Sequence, residues 1–373
     1  MIEVLSSLAD VDPAEWDALD HGDNPFTEYA FLRLLETSGS VGPRTGWTPS
    51  YVVLREGGRL VGAVPAYEKS DSYGEYIFDW AFAEAAARAR MRYYPKLVAA
   101  VPFTPATGGR LLCSPGLDRR AELIEGLLEL HRARQTSSVH VLFCRLAEAE
   151  ALERFGFARR RTHQYHFENP GYASFEDFLS ALRSEVRKQI KKERRRIAEQ
   201  GVEVVQKVGE EITAEDWAAL DRLYRVTGSQ KWGRPYLTKA FFSGAKDTIG
   251  PRALAVFGRR QGQIIAGTLS FFKGAELFGR YWGATEAVDG LHFELCYYQL
   301  LDRAIAARMR RVEAGAQGEH KIKRGFLPAP IESAHFFEAK PLHRAAAEAF
   351  AAERADLERL LPEWQGEGPY KRG

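Results

Sequence analysis

The sequence predicts an α/β protein made of two α/β units in tandem, each with a mixed central sheet flanked by helices. Three observations carry this expectation. The length of 373 residues exceeds what a single hydrophobic core usually supports. The apolar period switches repeatedly between helical and strand spacing. The order of elements in the first half, a hairpin followed by helix and strand, recurs roughly in the second.

Taken in order, Asp12-Pro13-Ala14-Glu15 opens a helix, with Asp12 as cap, Pro13 at the first helical position and Glu15 placed for a capping box. Asn24-Pro25 breaks the chain, and Thr27 to Leu35 is helical. Pro49 to Arg55 and Leu60 to Tyr67 are β-rich runs joined by Glu56-Gly57-Gly58-Arg59, a hairpin signal. Tyr73 to Pro105 interleaves aromatic and basic residues, among them Trp80, Arg88, Arg90, Arg92 and Lys96. It reads as a helix on a sheet with snorkelling basic side chains, or as a surface for nucleic acid or membrane. Gly108-Gly109-Arg110 lies in a shaped loop whose backbone can approach an anionic ligand closely. Arg119 to Arg134 is an amphipathic helix, Val139 to Cys144 a buried strand, Ala147 to Phe155 a short helix and Ala158 to Phe167 extended. Glu168-Asn169-Pro170-Gly171 is the strongest turn signal, so the domains are expected at 1–168 and 169–373.

The second half opens with a helix from Ser174 to Leu182. A basic helix, 183–200, follows: from Arg183 to Arg196 eight Lys and Arg stand against Glu185 and Glu193. Val186, Ile190 and Ile197 give it a narrow apolar stripe. So many like charges repel one another, which makes Arg187, Lys188, Lys191, Lys192 and Arg195 a candidate dock for an anionic carrier, against the alternative of a solvated helix face. A strand is expected at Val202 to Val208 and a helix from Ala214 to Thr227. Gly228 to Pro235 reads as a polar loop and Tyr236 to Ser243 as helical. Strands follow at Ala253 to Phe257, Gln263 to Phe272 and Glu276 to Gly283. Phe293 to Arg308 is a long helix with Phe293, Cys296, Tyr297, Leu300 and Leu301 facing the core and Glu294 facing away. A last amphipathic helix is expected over 342–361.

Bulk composition narrows the function classes. Hydrophobic content of 45% and charged content of 27% are ordinary for a globular protein. A net charge of +2 makes any polyanion-binding surface local. Cys113, Cys144 and Cys296 have no close spacing, which argues for reduced thiols rather than a disulfide frame or a zinc site, and no metal is expected. No run approaches the ~20 apolar residues of a membrane helix. The first residues lack a signal-peptide pattern, so a cytoplasmic location is the expectation.

The best candidate site is the dense polar cluster Gly315 to Arg324. Glu319 and His320 are the candidate catalytic residues, able to take a proton. Lys321, Lys323 and Arg324 can hold an anion, and Gln317 can donate to a carbonyl. Tyr281, Trp282, His292, Glu294 and Tyr297 complete the candidate substrate-binding set, with core packing or capping as the competing reading. An extended segment would set Glu319, Lys321 and Lys323 on one face and His320 with Arg324 on the other.

The element order resembles the GNAT acyltransferase (acyl-CoA N-acyltransferase) fold. The basic helix running into Gly201-Val202-Glu203-Val204, the strand Tyr281-Trp282-Gly283-Ala284 and the segment Lys323-Arg324-Gly325-Phe326 are similar to the Fem-type branch. LHFELCYYQ with GAQGEHKIKRGFLP resembles the FemAB-like peptidoglycan biosynthesis or recognition group most closely. The resemblance implies tandem GNAT-like domains and an aminoacyl or acyl transferase. It implies aminoacyl-tRNA as donor, a cell-wall precursor (UDP-linked) as amine acceptor, and no dependence on CoA. GNAT enzymes that use acetyl-CoA carry a basic residue in the Gly-containing turn after the central strand. Here that turn is Glu286 to His292, with Glu286 and Asp289 where positive charge would be needed. The alternatives are an acetyl-CoA- or acyl-CoA-dependent N-acetyltransferase with its phosphate loop in the first domain, and a non-catalytic module recognising precursor or RNA. No cofactor is assigned outright.

Overall fold

A computed structural model describes residues 1–231, 235–315 and 318–371. The chain forms two compact α/β units, Met1–His163 with Pro330–Leu360, and Gln164–Ala329 with Leu361–Gly373. This corrects the expected division at 168/169, because residues 330–360 return to the first unit. There Ser333–Phe337 pairs antiparallel with Ser138–Leu142. Leu342, Ala346 and Phe350 pack with Ala86, Tyr93 and Phe337.

In the first unit the local signals behave as read. Asp12 caps its helix by accepting from the Ala14 amide at 2.8 Å. Glu15 is the exception, since it pairs with Arg55 at 3.0 Å instead of closing a capping box. Tyr51–Glu56 and Arg59–Val64 form the hairpin, with Gly57 and Gly58 at φ 56° and 84°. Both values are positive, which a type I′ turn demands and glycine adopts without strain. Pro65 then interrupts the strand, and Ala66–Lys69 joins a second sheet. In that sheet Ser138–Cys144 runs parallel to Lys96–Ala99, which pairs antiparallel with Ala66–Lys69. Helix Arg120–Arg134 supplies Leu123, Ile124 and Leu127 to the core beneath.

The aromatic and basic stretch divides. Tyr73, Phe78 and Trp80 are exposed. Lys96 does not snorkel: it is fully buried, with its ammonium 2.9 Å from Glu75 Oε2 and bonded to Asp79 Oδ2 and Ser72 Oγ. Burial outweighs the lysine beside it and pushes the Glu75 carboxyl up to about 7.

The second unit holds an antiparallel meander of Glu203–Val208, Ala253–Arg260, Gln263–Lys273 and Glu276–Ala284. Arg311–Glu313 adds to the last strand in parallel, and His166–Glu168 pairs antiparallel beyond it. Phe175–Ala181 is capped by Ser174, and the basic helix spans Ser184–Glu199. Ala214–Lys231 continues past the expected stop at Gly228, and the second half of the predicted polar loop, 232–234, lies outside the described residues. The last helix, Lys340–Gly366, is longer at both ends than expected. No helix among the described residues is long and apolar enough to cross a membrane.

Candidate functional site

The site begins where the pairing of two strands ends. Glu276–Ala284 pairs with Arg311–Glu313 only at residues 276–278, and beyond Phe278 the ladder on this edge ends. On its other edge the strand pairs Ser270 with Gly279 and Leu269 with Tyr281, so Arg280 is the extra residue of a bulge. A bulge increases local twist and re-aims side chains, and bulges gather beside active sites.

The helix facing this opening is not regular. Leu291–Phe293 is α, Glu294–Tyr298 is a single π turn, and Gln299–Ala306 resumes the α form. The extra residue of a π turn rotates everything before it relative to everything after it. That corrects the expected facing of Glu294, which is buried. Its Oε1 accepts from Gln299 Nε2 at 2.6 Å and Arg194 Nε at 3.2 Å. Glu294 lines neither cavity described below, so it serves as an anchor for the basic helix rather than as a substrate contact.

The polar cluster is also not extended. Glu319–Arg324 forms a 3-10 helix ended by Gly325 at φ 94°. Side chains three apart eclipse in a 3-10 helix, so Lys321 and Arg324 both turn inward and are buried. The strand-like alternation expected for the cluster is thereby replaced. Gln317 lies outside the described residues. Arg324 has lost its freedom to bind a substrate anion. Its guanidinium is 3.1 Å from both oxygens of Glu193, 2.8 Å from the His320 carbonyl and stacked 3.4 Å over the Phe293 ring. Tyr298 also donates to Glu193.

Lys321 is only 2% exposed, and its ammonium donates to the Gly315 carbonyl at 2.8 Å. Burial, reinforced by Arg280, lowers its pKa to about 8. His320 Nε2 sits 2.9 Å from the Tyr297 hydroxyl. Partial burial, then Arg324 and Lys321, hold the imidazole pKa below its usual value. Gly318 makes room for that ring: at φ +119°, a Cβ there would lie 2.5 Å from His320 Cε1.

Two cavities meet at His320, which lines both. The larger, about 890 Å³, is bounded by the basic helix, the 3-10 helix and the chain near Pro369. Its charged lining is Glu185, Glu193, Glu319 and Glu367 against Arg183, Lys323 and Arg324. The smaller, about 480 Å³, lies in the strand opening and has Arg280 and Lys321 in its lining, with no Asp or Glu. Tyr281, Trp282, His292 and Tyr297 line it together, the rings of Trp282 and His292 5.1 Å apart. Cys296, expected as a core thiol, is half-buried and lines it too. The structure thus gathers Glu319, His320 and Lys323 on one cavity and His320, Lys321 and the four ring side chains on the other.

Sequence reasoning missed Thr268, Ser270 and Arg280 in the smaller cavity and Gln189, Glu193 and Tyr298 in the larger. A signal existed for the first pair. Two hydroxyls at i and i+2 share one strand face, and here they interrupt an otherwise apolar run.

None of Arg187, Lys188, Lys191, Lys192 and Arg195 lines either cavity. Lys191 pairs with Glu176 at 2.6 Å and Arg195 with Glu199 at 3.3 Å. Arg187, Lys188 and Lys192 make no ion pair among the described residues. The helix turns its acidic Glu185 and Glu193 to the larger cavity and leaves its basic face elsewhere. The glycine loop of the first unit offers no anion site through Arg110. That guanidinium is wholly buried and donates to the carbonyls of Ala106, Gly109 and Leu142 at 2.7–3.0 Å.

Comparison with solved structures supports the fold. FemX superposes with a TM-score of 0.54 at 11% identity, covering 92% of this chain and 100% of its own. The L-PGS structure from Bacillus licheniformis gives 0.54 at 10%, covering 92% and 97%. The C-terminal domain of a putative lysylphosphatidylglycerol synthetase from Agrobacterium fabrum gives 0.54 at 11%, covering 94% and 95%. At such identities the likeness is one of fold. No curated protein matches the sequence. The family pattern described as peptidoglycan biosynthesis/recognition, however, matches residues 7–372, nearly the whole of both units, and the chain therefore belongs to the FemAB-like family.

Proposed function

We propose that this protein transfers an acyl or aminoacyl group to an amine acceptor, with His320 as the proton acceptor between the two. The observation that carries this reading is that His320 lines both cavities, one rich in carboxylates and one without any. An acceptor amine arrives largely as a cation, which suits the larger cavity with Glu319, Glu185 and Glu367. The donor carbonyl suits the smaller cavity, whose charged lining, Arg280 and Lys321, is positive and favours a developing oxyanion.

In the tautomer this role requires, His320 donates its Nε2 proton to the Tyr297 oxygen, which leaves the Nδ1 lone pair for the amine. Its lowered pKa keeps the ring neutral, as a base must be. The bound ammonium first gives up one proton to solvent; the amine nitrogen then bonds to the carbonyl carbon, the carbon–oxygen or carbon–sulfur bond of the donor breaks, and His320 passes the second nitrogen proton to the leaving group. The Gly318 position holds the ring where it can do this, and Glu319 steers the acceptor.

An aminoacyl ester is the donor this reading favours over acyl-CoA. In the turn after the central strand, Glu286 pairs with Arg260 at 2.5 Å and Asp289 with Arg196. A pyrophosphate there would have to displace both carboxylates from their arginines, which counts against CoA at this turn. The family suggests a peptidoglycan precursor as acceptor. Arg187, Lys188 and Lys192 are the cations left to hold an anionic carrier such as tRNA, and a cytoplasmic setting suits such partners.

The test is a thermal-shift titration with acetyl-CoA, deacylated tRNA and UDP-linked precursor, followed by turnover assays with the partners that bind. Stabilisation by tRNA or precursor, with turnover lost in His320→Gln, is expected. Stabilisation by acetyl-CoA alone would overturn the donor assignment. Binding without turnover in the wild-type protein would make it a recognition module.

A further inference from the structure

The smaller cavity contains two polar atoms with nothing to bond. Thr268 Oγ1 and Ser270 Oγ have no hydrogen-bond partner among the described residues, although the residues are 3% and 0% exposed. Both line the cavity, two apart on one face of the strand Gln263–Lys273. A buried hydroxyl without a partner carries a desolvation penalty, and buried polar groups are paired in the great majority of cases. The same cavity has Lys321 and the bulged Arg280 in its lining and no carboxylate, so its charged lining is basic throughout. Trp282 and Tyr297 give it an apolar wall for the body of a ligand.

We infer that the smaller cavity is an oxyanion-binding site that lodges the carboxylate or phosphate of a ligand between the Thr268 and Ser270 hydroxyls and Lys321. This deepens the transfer reading, on which it rests for its role: the donor carries a negatively charged group besides its reactive carbonyl. Hydroxyls donate to an oxyanion and the ammonium neutralises it, whereas an ammonium-bearing ligand would be repelled by Lys321 and Arg280.

Binding is measured by calorimetry on the intact wild-type chain, without turnover, using two matched pairs of probes. One pair is N-acetylglycine and its amide, the other adenosine monophosphate and adenosine. The expected result is that the anion of at least one pair binds about ten-fold or more tightly than its neutral partner, the pair identifying carboxylate or phosphate. The variant Thr268→Val with Ser270→Ala should remove that preference. Without ligand it should melt no lower than wild type, since it deletes unsatisfied groups. Equal binding of acid and neutral probe, an anion preference that survives in the variant, or a lower melting temperature of the free variant would each overturn the site. Anion binding in a chain with no transferase turnover would keep the site and sink the transfer reading. Turnover by a chain that shows no anion preference would do the reverse.

Discussion

The Tyr297 hydroxyl lies 2.9 Å from His320 Nε2, joining the π turn of one helix to the 3-10 helix that carries the polar cluster. Burial raises the Tyr297 pKa, so the phenol stays protonated across the working range. It therefore orients the imidazole without competing for its charge. Replacing His320 with Ala should lower kcat by about 10²–10⁴-fold, the usual contribution of a general base. Tyr297→Phe should lower it less, by about ten-fold, with KM little changed. The acid limb of the wild-type pH–rate profile should have its midpoint below the ordinary histidine value of about 6.5, because the folded pKa is depressed. A midpoint above that value would remove His320 as the base.

Lys321 should trade stability for function. Its folded pKa of about 8 lies below the lysine reference of 10.5, so the unfolded chain binds the proton more tightly. The protonated form therefore costs stability below pH 8, and the cost fades as pH rises from about 8 toward 10.5. Lys321→Met should raise stability by about 1–3 kcal/mol at pH 7 in denaturant titration, with the gain shrinking across that window. The same variant should lose activity. Destabilisation at pH 7 would mean that the Gly315 hydrogen bond outweighs desolvation.

Gly318→Ala should damage the site more than the fold. The residue sits at φ +119°, and the added methyl would meet the His320 ring. A cost of about 1–3 kcal/mol is expected from the strained backbone. Activity should fall as far as in a direct His320 substitution, measured at a temperature where the variant remains folded. Near-wild-type turnover would show that the ring position is not critical.

The buried cation of the first unit is a stability element. Lys96→Met leaves Glu75 and Asp79 facing one another without it, 2.9 Å having separated Lys96 from Glu75. Removing one partner of a buried pair typically costs about 3–5 kcal/mol. Chemical denaturation should report a loss of that size, and a loss below about 1 kcal/mol would mean that the carboxyls simply take up protons.

Reversing Arg187, Lys188 and Lys192 to Glu should weaken binding of an anionic carrier, with the wild-type affinity falling steeply as salt rises. Melting temperature should change little, because these three make no ion pair among the described residues. Unchanged tRNA affinity in the reversed protein would assign that face to plain solvation.

What the sequence determined alone was local. Gly57-Gly58 can turn a hairpin by themselves, Asp12 and Ser174 cap the helices they precede, and the alternation of periods names each element, because these depend on neighbouring backbone only. The Gly315 to Arg324 cluster was legible as the candidate site for the same reason, its polar side chains and glycines being adjacent in sequence. Tertiary structure decided which of those groups remain available. Arg324 met Glu193 from 131 residues away, Glu294 was turned inward by a π turn and held by Arg194, and residues 330–360 returned to the first unit. It also set Thr268 and Ser270 against Lys321 in one cavity. Charge and hydrogen-bonding capacity are properties of a residue, but whether they are spent depends on what packs against it, and that is a non-local matter.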